Sequence, residues 1–165
     1  MILGLGWLLA NSAQALQRPV DPVAVCVVTP RVEPVTEGDA IGLVPTPMPL
    51  LVVVEPLLEL RIERQGLLVW QQLAPAGRPF RAPLAWPLAP IAPGEVVLLR
   101  LRPEQAAEGS FAQVQLVGAD AERMARTEAL IRSLGQSPPA WLAAIEMALE
   151  AGDVSLAWAL LFEPQ

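Results

Sequence analysis

The chain has 165 residues, a net charge of −6 and no lysine, histidine or tyrosine, so its eleven cations are all arginine. Mechanisms built on a histidine base or a lysine Schiff base are therefore excluded, and an acidic chain whose arginines come in pairs at most disfavours nucleic acid and other polyanions. A hydrophobic fraction of 53% with 17% charge excludes disorder, and the length suits one domain, or a small domain with an appendage.

In chain order, the N-terminus comes first and has the form of an export signal. Ile2–Leu9 is an apolar core, and Ala13-Gln14-Ala15 makes a small-x-small cleavage pattern before Leu16. No Lys or Arg precedes that core, and so short an apolar run cannot span a bilayer, which needs ~20 residues. A short buried or interfacial helix is the competing reading. Cleavage places a mature chain from Leu16 outside the cytoplasm, with no transmembrane span. The expected division is 1–15 signal peptide, 16–118 β-sandwich domain and 119–165 helical cap, the last two forming one compact unit. The single cysteine, Cys26, lies in the apolar run Val23–Val28. It is expected to be a buried structural thiol, because a catalytic thiolate needs a base and an electropositive setting.

Short strand-like segments follow, separated by Pro and Gly turns. They are Val23–Thr29, Leu50–Glu55, Leu57–Arg64, Leu67–Gln72, a Pro-interrupted edge segment at Phe80–Trp86, Val96–Arg102 and Ser110–Val117. In Leu57–Arg64 the residues Leu58, Leu60 and Ile62 face one way and Glu59, Arg61 and Glu63 the other. Gln65-Gly66 closes a hairpin to Leu67–Gln72, with Gly supplying a positive φ. From Ala119 the period becomes helical. Asp120 caps a helix running to about Leu134, with Gly135 as its stop. Ser137-Pro138 starts a second helix with Trp141, Leu142, Ile145, Ala148 and Leu149 on one face. Gly152-Asp153 ends it and caps a third, Val154–Phe162, with Trp158 and Leu161 inward. Six or seven short strands and then three helices predict an α+β fold: an antiparallel, immunoglobulin-like β-sandwich with C-terminal helices packed on it.

The most distinctive motif is Leu84–Glu95, in which Pro87, Pro90 and Pro93 recur every three residues and so align along one edge of a polyproline II helix. It reads either as a ligand for an aromatic groove or as a stiff crossover with Pro93-Gly94 as a type II turn and Trp86 plugging the core. The crossover is the simpler reading. If the segment is an interaction surface, its residues are Trp86, Pro87, Pro90 and Pro93, with Arg100 and Arg102 nearby. Carboxylate pairs alone can hydrolyse glycosides, and Glu55/Glu59, Glu104/Glu108 and Glu146/Glu150 are the close ones. Each is more simply a solvated surface feature. The five tryptophans could mark an interface, but helical placement makes core packing the default for Trp141 and Trp158. Motifs for dinucleotides, phosphates, zinc and calcium are absent, so no cofactor and no metal are expected. The arginines on strand faces suit pairing with Glu, within the sheet or across an interface.

From Leu60 onward, the segments LRIERQGLLVWQQ, LAWPLAPIAPGEVVLLRLRP, SFAQVQLV and AWLAAIEMALEAGDVSLAWALL resemble those of uncharacterised exported cyanobacterial proteins. In these a sandwich-like domain of unknown function precedes a short helical tail. Ala148–Ala157 is also similar to the joint of tetratricopeptide hairpins, although an array needs at least ~3 repeats and one hairpin is present here. These resemblances imply no activity and transfer no functional residue. The expectation is therefore a non-enzymatic, extracytoplasmic interaction or structural module that binds a protein or envelope component. The alternatives are a carboxylate-dependent glycan hydrolase and an assembly subunit of a larger complex.

Overall fold

The computed structural model describes residues 23–36 and 39–163. The expected signal at 1–15 and the lead-in that follows it lie outside the described residues. Among the described residues eight strands precede three helices: β1 Val27–Thr29, β2 Glu33–Thr36, β3 Asp39–Val44, β4 Val52–Val53, β5 Leu57–Arg64, β6 Leu67–Leu73, β7 Val96–Pro103, β8 Ala112–Gly118, α1 Ala121–Leu134, α2 Pro138–Glu150 and α3 Val154–Leu161. The fold is α+β with its helices at the C-terminus.

Six strands form one sheet in the order β2-β3-β8-β7-β5-β6, and β1 pairs with β4 in a separate two-stranded ribbon. The expected all-antiparallel arrangement does not hold, because β3 runs parallel to β8 from Asp39↔Gln113 to Val44↔Gly118. A hairpin announces itself locally through its turn, whereas a parallel neighbour some seventy residues away leaves no local signature. Two glycines permit the close approaches near this pair. A Cβ on Gly42 would stand 2.6 Å from the Arg31 carbonyl oxygen, and one on Gly118 would stand 2.2 Å from that of Ala92.

Strand alternation builds the core. Leu60 and Ile62 on β5, Val97, Leu99 and Leu101 on β7, and Ala112, Val114 and Leu116 on β8 are all buried on one face. Leu57 is buried as well, although it is out of phase with them, because the register slips between Leu57 and Glu59. The layer over this face combines the β1/β4 ribbon with the segment carrying Leu84, Trp86, Leu88 and Ile91. That segment is fixed by isolated bridges, Leu51↔Leu84 and Leu57↔Phe80, and forms no continuous strand. Its prolines remove the donors a ladder needs. Likewise Val23–Thr29 and Leu50–Glu55 contribute only their paired residues to β1 and β4.

The helix boundaries agree with their caps. The Asp120 side chain accepts from the Arg123 N–H at 2.8 Å, and that of Asp153 accepts from the Leu156 N–H at 3.0 Å. Ser137 makes no side-chain cap bond, and Pro138 at the first turn starts α2 alone. Trp141, Ala144 and Leu160 form a second core with Leu130, Ile131 and Ile145. Leu142 and Leu149, expected inward, point out from α2, and Leu161 points out from α3. Cys26 is likewise exposed rather than buried. Its backbone N–H donates to Glu55 Oε2 at 2.9 Å and its carbonyl accepts from Val54 N–H at 3.0 Å, which leaves the thiol outside the core.

Candidate functional site

The sheet face opposite the core carries the charges. Glu59 of β5 is only 4% exposed and receives three donors: Arg61 Nε at 2.5 Å, Gln71 Nε2 at 2.6 Å and Arg102 Nε at 3.2 Å. Burial disfavours the carboxylate, but the hydrogen bonds from Arg61 and Gln71 and the charges of Arg61 and Arg102 outweigh it, so the carboxyl sits below the ordinary glutamate range. Arg100 Nε donates to Glu63 at 2.7 Å, and the Arg61 guanidinium lies 4.6 Å from the centre of the Phe111 ring. Arg100 and Arg102 are therefore both paired within the sheet. A carboxyl held below the ordinary glutamate range stays ionised at neutral pH. Glu146 and Glu150 lie exposed on α2.

The Pro-rich segment lies on the other side of the sheet. Trp86 is 7% exposed in the main core and donates Nε1–H to the Ala89 carbonyl at 3.0 Å. Pro87, Pro90 and Pro93 are exposed. Pro93-Gly94 forms a turn with Gly94 at φ +71° and a bond from Glu95 N–H to the Ala92 carbonyl at 3.0 Å. Arg64 Nη2 holds the segment from below through the Ala89 carbonyl at 2.7 Å. The six residues named as one surface thus divide between two faces: Trp86 is in the core, the three prolines border it, and the arginines are on the polar side.

Several open features of the molecule meet at β6. This strand ends the sheet and has a ladder partner on one side only, among the described residues. Its sequence, LLVWQQL, carries no charge. Leu67, Leu68, Val69 and Leu73 are 68%, 52%, 44% and 59% exposed. The opposite edge, β2, is blunted by Glu33, Pro34 and an irregular register, the devices that keep edges from pairing. A bulge between Ile62/Trp70 and Glu63/Leu68 does bend β6 near its turn, but Trp70–Leu73 stays in regular register.

Beside this edge lies an apolar cavity of about 250 Å³. Leu60, Ile62, Trp70 and Gln72 form its sheet side, and Pro83, Trp86 and Pro87 its other wall. Trp86 and Pro87 were legible in the sequence as part of a candidate surface. Trp70 and Gln72 were legible only as hairpin residues, because nothing local distinguishes an edge strand from a central one. The uncharged run was the one available hint. No protein-family model, curated protein or solved structure matches this chain.

Proposed function

We infer that the protein is a non-enzymatic, extracytoplasmic interaction module that binds a protein partner by adding the partner's strand to β6. The observation carrying this reading is the uncharged, largely apolar edge of β6, unpaired among the described residues, set against a β2 edge that is blunted. The extracytoplasmic assignment draws on the apolar core and small-x-small pattern of residues 1–15. The β1/β4 ribbon faces the six-stranded sheet across one core, which supports reading the fold as an unequal, immunoglobulin-like sandwich. Two measurements test the function. Protein recovered from its native source should begin at Leu16, and an intact Met1 in the cytoplasm would overturn the location. Val69→Lys, at an exposed edge position, should melt as the wild type does yet lose partners co-purified from the native envelope. Full retention of those partners would remove β6 from the interface.

A second reading, an assembly subunit, is favoured by one observation: Leu142, Met147 and Leu149 of α2 and Leu161 of α3 are all exposed. Size exclusion of the native extract checks it, since a lone monomeric peak counts against a stable assembly.

A further inference from the structure

Three of the four described tryptophans donate the indole N–H to a backbone carbonyl: Trp86 to Ala89 at 3.0 Å, Trp141 to Gly135 at 2.8 Å and Trp158 to Val28 at 2.6 Å. Trp70 has no such partner among the described residues, and neither has the Gln72 side-chain amide. Both groups line the cavity of about 250 Å³, which among the described residues has no ionisable side chain in its wall. An apolar cavity of roughly 150 Å³ holds benzene, so this one has room for a large ring. Neither the Trp70 N–H nor the Gln72 amide is buried without a partner, so both are open to water and can bond an incoming segment.

We propose that this cavity is the specificity pocket of the β6 edge. It takes one bulky, uncharged side chain, aromatic or branched, from an extended partner segment, with Trp70 Nε1–H and the Gln72 amide bonding polar atoms of that segment. The proposal rests on the strand-addition reading of β6. Alternate side chains of an added strand point to the same face as Trp70 and Gln72, one strand spacing of ~4.8 Å beyond them. A charged side chain would lose its water there and meet no counter-charge. The charge-free edge and charge-free pocket select the same kind of segment.

The full chain, ¹⁵N-labelled, is titrated with capped alternating Thr/Val peptides carrying Phe or Asp at the centre, and with N-acetyl-phenylalaninamide. The Phe peptide should shift the Trp70 indole and Gln72 amide signals together with the β6 backbone amides, and bind at least ~10-fold tighter than the Asp peptide. Trp70→Phe keeps a ring and removes the donor. It should weaken the Phe peptide several-fold, up to roughly 10-fold, with the fold checked by its melting temperature. Equal binding of the two peptides with β6 shifts would overturn the pocket and leave the edge reading standing. If N-acetyl-phenylalaninamide shifts Trp70 while no peptide shifts β6, strand addition and this proposal both fail. If β6 signals shift with protein concentration and the mass doubles, a second copy occupies the edge and the proposal is overturned.

Discussion

Glu59 shows how a single buried charge is made tolerable in this chain. Its three donors compensate a carboxylate that has lost nearly all its water, and two of them are strand-face arginines, whose expected pairing with Glu, within the sheet or across an interface, is here within the sheet. Glu59→Gln leaves Arg61 and Arg102 without their anion. It should cost about 2 kcal/mol at neutral pH, less than for a fully buried pair because the Arg61 side chain is 36% exposed. The lowered carboxyl pKa fixes the sign of the pH dependence. The folded state holds the proton less tightly than the unfolded one, so this stabilisation is complete above the ordinary glutamate pKa. It is lost as pH falls through the lowered value. Denaturant titrations of both forms should therefore differ at neutral pH and converge in acid, and a constant difference would contradict the assignment. Trp86 is the apolar counterpart: Trp86→Ala should cost about 3–5 kcal/mol if the ring fills the core as its burial indicates, and a melting shift near zero would return it to the surface.

At the scale of elements, local chemistry accounts for the helices and hairpins, and the sheet edges need more. Asp153 serves two elements at once: it caps α3 through Leu156 N–H and pairs with Arg123 of α1 at 2.6 Å. Asp153→Asn retains an acceptor for the cap and loses the ion pair, whereas Asp153→Ala loses both. The Ala variant should be destabilised by about 1–2 kcal/mol and the Asn variant by less than half of that, read from denaturation midpoints at constant slope. Equal losses would assign the effect to the ion pair. The β5/β6 hairpin was legible because Gly66 supplies a positive φ, here 76°, in a two-residue turn, whereas the positive φ of Gln65, 52°, is uncommon for a residue with a Cβ. β2 and β3 were not legible, since Pro34 and Gly42 interrupt their pattern and the second partner of β3, β8, is distant in sequence.

For the whole molecule, the question is whether sheet and helices fold together. Trp158 of α3 donates its indole N–H to the Val28 carbonyl of β1 at 2.6 Å, across 130 residues of sequence. Ala119 N–H bonds the Val44 carbonyl at 2.9 Å where the chain leaves β8. Ser155, Ala159 and Phe162 lie against Leu43, Val44 and Pro45, around a gap of about 10 Å³. Far-UV and near-UV circular dichroism should therefore report one coincident thermal transition. A chain ending at Gly118 should lose most of its cooperativity, because it exposes what the helices cover. Two separated transitions would mean that the helices are an independent appendage.

By itself the sequence determined the α+β class, the long strands β5, β7 and β8, the Asp120 and Asp153 helix caps and the absence of His and Lys. Each of these depends on residue type or on contacts within a few positions. Tertiary structure alone decided that β3 runs parallel to β8, that Cys26 is exposed, that Trp86 and the arginines lie on opposite faces, and that β6 ends the sheet beside an apolar cavity. Those features depend on which distant segments become neighbours, and the buried face of a strand records that it is covered without recording what covers it.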